Sequence, residues 1–153
     1  MRLTTMTDYA MRLLIFLGSH PDRLCTISEV ARTYDISQPH LMKVTNRLSR
    51  AGWIETVRGK NGGMRLAHAP GDIPVGAVVR DIENDLALVE CLGDKQSCIL
   101  IGNCALPRIL SGALAKFMDH LDQHSLADLL IPAGNVHQPD GVGTKPVTVH
   151  TEL

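Results

Sequence analysis

Three cysteines stand close together in the second half of the chain, at Cys91, Cys98 and Cys104, with the spacing C-x6-C-x5-C. Thiolates gathered on one short segment can hold a metal ion or an iron–sulfur cluster, because zinc and iron both favour sulfur ligands. A single cysteine more often packs as a small apolar residue, which is the interpretation we give to Cys25. Three of the four cysteines in one stretch that also contains Gly and Asp favour a bound cofactor.

The spacing separates zinc from an iron–sulfur cluster only weakly. Structural zinc sites usually contain cysteine pairs two to four residues apart, whereas the gaps here are six and five residues and suit a larger cluster. The cluster type, 2Fe–2S or 4Fe–4S, stays open. One coordination position is left to another residue, to Cys25, to water or to a partner subunit. His120 and His124 have the spacing of zinc ligands on a helix, but we expect them to be surface residues.

Charge is distributed unevenly along the chain, although the net charge is only −1. Residues 1–66 contain ten Lys and Arg against five Asp and Glu, whereas residues 67–153 contain five against eleven. A positive half is the electrostatic footprint of a phosphate-binding surface. We therefore expect double-stranded DNA to contact the first half of the chain and not the second.

Apolar runs in the chain stay well below the roughly 18 residues needed to cross a bilayer. The N-terminus also lacks the charged-then-apolar pattern of a signal peptide. We expect a cytoplasmic protein that does not contact a membrane. Thiols stay reduced in that compartment, which favours cofactor binding over disulfide formation.

The elements that position these residues begin with three predicted helices. Capping boxes at Thr5-x-x-Asp8 and Thr26-x-x-Glu29 indicate the starts of the first two, because hydroxyl and carboxylate groups satisfy free backbone N–H groups there. Ser37 is expected to cap the third helix. Two short helices joined by a turn at residues 35–37 are typical of a helix-turn-helix, although an ordinary helical pair has the same pattern.

Two short predicted strands, residues 53–57 and 64–67, flank a glycine-rich turn with two cations. A hairpin directly after the recognition helix indicates the wing of a winged helix-turn-helix. A nucleotide-binding loop is disfavoured, because no helix follows the glycines. We expect DNA contacts from polar and basic residues of the third helix and the wing. These are Ser37, Gln38, Pro39, His40, Lys43, Asn46, Arg47, Arg50, Arg58, Lys60, Asn61 and Arg65.

A long helix over about residues 104–123 carries a broad apolar stripe. We expect a second subunit to cover that stripe, with docking on its own domain as the alternative. The predicted fold is therefore mainly α with a small β-hairpin wing: a winged helix-turn-helix plus a long C-terminal dimerisation helix. We divide the chain into a DNA-binding domain (1–84), a cysteine loop (85–104), a dimerisation helix with a short end helix (105–131) and a disordered tail (132–153).

Several segments carry a resemblance to a known family over about residues 1–131. They are Arg2-Leu3-Thr4, Thr7-Asp8-Tyr9-Ala10, Ser28-Glu29-Val30-Ala31, Val57-Arg58-Gly59-Lys60-Asn61-Gly62-Gly63 and Leu126-Ala127-Asp128-Leu129. Together they resemble the iron–sulfur winged-helix regulators of the Rrf-two family. The start of the first helix, the wing and the final motif most resemble the nitric-oxide-sensing repressors of that family.

The resemblance implies that Cys91, Cys98 and Cys104 are ligands of an iron–sulfur cluster. It also implies that Asp8, supplied by the partner subunit, is the fourth ligand. The first cysteine gap is one residue longer than is common in relatives. A capping role for Asp8 competes with this assignment, because a carboxylate oxygen bound to iron is less available to the backbone.

The same resemblance implies a homodimeric repressor that binds an operator in double-stranded DNA. Nitric oxide would dismantle the cluster, lower DNA affinity and derepress genes of the nitrosative-stress response. Iron-status or cluster-status sensing and a thiol redox switch at the same cysteines remain alternatives. The basic half and the wing disfavour a non-DNA iron–sulfur carrier. An enzyme is disfavoured because the chain has no Ser/His/Asp ordering and no carboxylate pair beside the cysteines.

Overall fold

The computed structural model describes residues 3–93, 98–100 and 103–130. Its helices are α1 (Thr5–Gly18), α2 (Ile27–Tyr34), α3 (Gln38–Arg50), α4 (Val75–Ile82) and α5 (Leu106–Asp122), and its strands are β1 (Ile54–Val57) and β2 (Gly63–Leu66). Short 3-10 turns lie at Pro70–Asp72, Glu90–Leu92 and Leu126–Leu129. The predicted fold class, mainly helical with one hairpin, is confirmed. The predicted tail lies outside the described residues.

Helix α1 forms the centre of the core and contacts α2, α3, β2, α4 and the last 3-10 turn. Its apolar side chains recur at helical spacing, and Leu13, Leu14 and Leu17 are each at most 2% exposed. Leu41 and Leu48 of α3 pack into the same cluster. Burying apolar surface of this kind is the main favourable contribution to folding.

Helices α2 and α3 form the predicted helix-turn-helix. The capping box of α2 is confirmed: the Thr26 hydroxyl accepts from the Glu29 backbone N–H at 3.3 Å, and the Glu29 carboxylate accepts from the Thr26 N–H at 2.7 Å. Asp35 ends α2 in the left-handed region with φ 53°, a conformation that Asp tolerates better than most residues. Ser37 is the N-cap residue of α3, as expected, although its side chain makes no capping hydrogen bond.

The hairpin pairs β1 with β2 in antiparallel register, from Ile54 opposite Leu66 to Val57 opposite Gly63. A further bridge joins Cys25 to Met64, which ties the wing to the start of α2. At the tip, a side chain at Gly62 would place Cβ 2.2 Å from the Val57 carbonyl oxygen. Glycine is therefore required for the tight return of the wing.

Helix α5 is attached to the winged domain by its C-terminal end. Arg80 of α4 forms a bidentate ion pair with Asp122, and a Cβ at Gly76 would lie 2.1 Å from the Asp122 carboxylate. The backbone N–H of Val75 donates to the His124 carbonyl at 2.9 Å. These contacts set the angle at which α5 leaves the domain.

The apolar stripe of α5 is largely uncovered in the single chain. Met118 is its one buried residue, whereas Leu106 is 47% and Ile109 is 62% exposed. The expected second subunit remains a prediction that this exposure supports. None of the helices in the described ranges is both long and apolar enough to span a bilayer.

Candidate DNA-binding surface and cysteine loop

Most of the DNA contacts predicted on α3 and its N-cap residue are exposed to solvent. They are Ser37, Gln38, Pro39, His40, Lys43, Asn46 and Arg50. The Ser37 hydroxyl and His40 Nδ1 are 2.9 Å apart, and the Tyr9 ring lies 6.1 Å from the His40 ring. The start of α1 therefore borders the end of α3 that can enter a DNA groove.

The wing supplies a second exposed polar surface. Arg58, Lys60 and Asn61 are all exposed at its tip, and Asn61 has a positive φ of 67°. Arg65 differs, because it forms an ion pair with Glu55 across the hairpin at 2.8 Å. The tip cations are thus available to phosphate, while Arg65 already has an acidic partner.

Arg47 also differs from the other predicted contacts. It is only partly exposed, and its Nε donates to the backbone carbonyl of Asp81 at 2.9 Å. The structure therefore joins this side chain to α4. Sequence periodicity placed Arg47 on a polar face of α3, but it could not show that α4 packs beside that face.

Asp8 does not cap α1, so the predicted Thr5-x-x-Asp8 capping box is wrong. The helix has Thr4 as its N-cap, without a capping hydrogen bond from that side chain. The exposed Asp8 carboxylate instead lies with both oxygens within 3.2 Å of Arg12 Nε, one turn further along the helix. Among the described residues its carboxylate pairs with Arg12 rather than with a backbone group, and the predicted role of Asp8 as a cluster ligand stays a prediction.

Glu83 provides the carboxylate at the start of α1 instead. Its Oε1 accepts from the Thr4 backbone N–H at 2.7 Å and from the Thr4 and Thr7 hydroxyls. Burial by itself would raise the pKa of Glu83, but these hydrogen bonds outweigh it and hold the pKa below its ordinary value. Glu83 directly follows α4, so it joins the beginning of α1 to the end of α4.

The three candidate cysteine ligands lie on the connection between α4 and α5. Cys91 is half-buried in the 3-10 turn Glu90–Leu92, while Cys98 and Cys104 are exposed, and all three are free thiols. No three His, Cys, Asp or Glu side chains are gathered at metal-binding distance in the ranges 3–93, 98–100 and 103–130. The segments 94–97 and 101–102, which complete the loop, lie outside those ranges.

The surroundings of Cys25 disfavour it as the fourth ligand of a cofactor held by the cysteine loop. Its side chain is fully buried, and its backbone N–H and carbonyl both bond to Met64. Burial raises the pKa of its thiol, with Arg23 lowering it and Glu29 raising it to a smaller degree. The prediction that Cys25 packs as a small apolar residue is confirmed.

His120 in α5 and His124 just after it are surface residues, as expected. The rings of His120 and His124 lie 5.0 Å apart, and His124 Nδ1 is 3.8 Å from the Asp128 carboxylate. Both side chains are exposed near the end of α5. Their contacts give no support to a zinc site at this position.

The donor set of the cysteine loop fits an iron–sulfur cluster in its chemistry. Three free thiols occur on one short connection, and sulfur is the ligand that such clusters use. Cys104 lies just before Ala105, the N-cap residue of α5. Among the described residues these sulfurs form no metal-binding group, so they would have to come closer together to share one cofactor.

Comparison with known proteins places these features in a family. The family model for Rrf2, described as an iron-dependent transcriptional regulator, matches residues 3–132. The HTH-type transcriptional regulator NsrR of Bacillus licheniformis is 44% identical over 140 residues, covering 90% of this chain and 98% of that protein. NsrR of Halalkalibacterium halodurans is 47% identical over 132 residues, covering 85% of this chain and 90% of that protein.

A solved structure shares the fold at lower sequence identity. T. potens IscR superposes with a TM-score of 0.68 at 24% identity, covering 84% of this chain and 85% of that one. The overall fold therefore agrees with the sequence match. The chain belongs to the Rrf2 family of transcriptional regulators.

Proposed function

We propose that this chain is a DNA-binding transcriptional repressor whose iron–sulfur cluster senses nitric oxide and derepresses nitrosative-stress genes. The observation that carries this proposal is the position of the cysteine loop. It connects α4, whose end contacts α1 and α3, to α5, whose apolar stripe is exposed. A change in the loop can thus reach both the DNA-reading helix and the subunit contact. The curated relatives named NsrR support the choice of signal.

Two subunits would bind two operator half-sites. Each exposed α3 N-terminus would enter a major groove, and Arg58 and Lys60 at the wing tip would contact the phosphate backbone. The apolar stripe of α5 would form the dimer contact, since exposed apolar patches mark interaction surfaces. The angle between the two α3 helices then depends on how α5 is attached to its own domain.

Cys91, Cys98 and Cys104 would hold the cluster, with Asp8 of the partner subunit completing the site. A cluster supplies iron, which binds nitric oxide strongly. Within the described part of the chain, the Asp8 carboxylate forms an exposed ion pair with Arg12 one turn away. Pairs of this kind are worth about 0.3–0.5 kcal/mol, so Asp8 can exchange Arg12 for another partner at little cost.

Asp8 couples the signal to DNA binding because of where it lies. It stands in the first turn of α1, beside Tyr9, which neighbours His40 of α3. The same turn is held by Glu83 at the start of the cysteine connection. Releasing Asp8 would remove a link between the subunits and change the separation of their two α3 helices. The dimer would then no longer match the two half-sites of the operator, so the state of the cluster would control DNA binding.

The proposal is tested by purifying the protein without air and titrating it with nitric oxide. Absorbance and DNA binding are followed in the same samples, using a duplex that the protein itself selects from a random pool. We expect a coloured dimer that bleaches and releases the duplex in parallel. A coloured protein that holds DNA regardless of nitric oxide would transfer the proposal to iron-status or cluster-status sensing. A colourless protein containing zinc would contradict the cofactor.

A further inference from the structure

Asp81, in the last turn of α4, accepts hydrogen bonds from two different parts of the DNA-reading surface. Its backbone carbonyl accepts from Arg47 Nε of α3 at 2.9 Å. Its carboxylate accepts from the indole N–H of Trp53 at 2.8 Å. Trp53 lies between α3 and the first strand of the wing. One residue of α4 is thus bonded to the end of the recognition helix and to the start of the wing.

We propose that Asp81 is a positioning residue for operator binding, which fixes the relative orientation of α3 and the wing without touching DNA itself. The inference deepens the proposed function and rests on it. A recognition helix and a wing must reach neighbouring parts of one duplex at the same time. The segment that joins them, residues 51–53, contains Gly52 with φ +83°. Backbone hydrogen bonds from Trp53 to Leu48 and from Ala67 to Trp53 restrain this joint, and the Asp81 carboxylate adds a hold on the Trp53 side chain.

Asp81 also lies close in sequence to the connection between α4 and α5 that carries the cysteines. Ile82 follows it and is 1% exposed in the core, and Glu83 then bonds to the start of α1. Of these three consecutive residues, Asp81 contacts α3 and Trp53, Ile82 packs in the core, and Glu83 contacts the start of α1. Movement of the cysteine loop would reach the DNA-reading surface first through this segment.

A positioning role of Asp81 can be distinguished from a simple effect of its negative charge on DNA affinity. Removing a carboxylate that lies next to α3 and the wing should by itself strengthen DNA binding, because the DNA phosphates repel negative charge. Loss of a positioning contact should weaken it. The two explanations thus predict opposite signs for Asp81→Ala.

The test compares Asp81→Ala, Asp81→Asn and the control Asp72→Ala, each as the full-length dimer with the selected duplex. Asp72 is exposed and lies in the turn Pro70–Asp72, which contacts the turn Leu126–Leu129. We expect Asp81→Ala to lower affinity about three- to tenfold, as for the loss of one hydrogen bond. Asp81→Asn keeps an oxygen acceptor for Trp53 and should restore most of the affinity, and Asp72→Ala should not lower it. Wild-type affinity in Asp81→Ala, or an equal loss in Asp81→Asn, would overturn the inference.

A double-mutant cycle with Trp53→Phe separates positioning from a general loss of stability. Phenylalanine keeps an aromatic ring and removes the N–H donor, so the double variant should bind no more weakly than Asp81→Ala alone. Trp53 is the only tryptophan, so its emission reports the loss of the carboxylate contact directly in Asp81→Ala. Fully additive losses in the cycle would contradict the inference.

The salt dependence of DNA affinity distinguishes a residue that contacts phosphate from one that only positions other residues. Each phosphate contact contributes roughly 0.9 to the slope of log affinity against log salt. Arg47→Gln should lower affinity while leaving that slope unchanged, whereas Lys60→Gln should reduce it. A reduced slope in Arg47→Gln would make Arg47 a DNA contact and overturn its positioning role. Wild-type protein that prefers no duplex over a scrambled one would instead refute the proposed function, whatever the variants do.

Discussion

Single residues explain where local sequence patterns succeed and where they fail. Thr26 and Glu29 are three residues apart, and their capping box forms as predicted. The similar pattern at Thr5 and Asp8 fails because Glu83, 79 positions from Thr4, occupies that role. A local pattern contains no information about a partner so distant in sequence. The only sequence signal for Glu83 is a carboxylate at the end of an apolar helix.

Glu83→Gln should lower the free energy of unfolding by about 1–3 kcal/mol at neutral pH, because a buried, hydrogen-bonded charge is lost. The pKa of Glu83 is lowered in the folded state, so its contribution is complete above its unfolded pKa of about 4.3 and is lost as pH falls through the lower folded value. Urea unfolding at several pH values should therefore show the wild type and the variant converging in acid.

The control for this prediction is Glu55→Gln, which breaks an exposed ion pair with Arg65. It should cost no more than about 1 kcal/mol at neutral pH. An equal loss in both variants, or a Glu83→Gln penalty that does not begin to shrink as the pH falls below the unfolded pKa of about 4.3, would contradict the role given to Glu83.

Cys98→Ala and Cys25→Ala should separate cofactor binding from packing. Cys98 is exposed and Cys25 is fully buried, so the first should abolish stable cluster assembly with little effect on folding. The second should lower stability by roughly 1 kcal/mol or more, because it leaves a small cavity, and keep the iron content. Iron and sulfide per chain, measured after anaerobic reconstitution, check both. Normal iron in Cys98→Ala would remove it from the ligand set.

At the scale of elements, the spacing of apolar residues predicted where the helices lie better than it predicted how the helices pack against one another. The long helix was expected over 104–123 and is found at Leu106–Asp122, because its apolar spacing is strongly helical. The attachment through Gly76, Arg80 and Asp122 was not predicted. Nothing in the local sequence distinguishes a glycine needed for close helix packing from one in a loop.

Ile109→Glu should prevent dimer formation, because it places a charge in the exposed apolar stripe of α5. Ser111→Glu is the matched control: it adds the same charge to the same helix about 200° around the axis, and Ser111 is exposed as well. Sedimentation of both variants at micromolar concentration checks the prediction. If Ile109→Glu stays dimeric, the subunit contact must lie on another surface.

At the scale of the whole molecule, the cysteine loop lies between the part that reads DNA and the part proposed to join subunits. The sequence predicted this order of elements from charge, spacing and periodicity. How the three cysteine sulfurs come together could not be predicted, because in the proposed function a cofactor and a partner subunit decide it, rather than contacts within one chain. Asp8 is therefore the residue on which the account depends most, since it alone would bring the partner subunit to the site.

The most direct test uses a mixed dimer with Asp8→Ala in one subunit and Cys98→Ala in the other, purified through two different tags. If Asp8 acts across the dimer, the subunit with intact cysteines receives Asp8 from its partner, and one complete site forms. We predict half the wild-type iron, lost to a chelator as slowly as in wild type and released by nitric oxide together with DNA. If the mixed dimer loses its iron as fast as the Asp8→Ala homodimer, ligation across the dimer is contradicted.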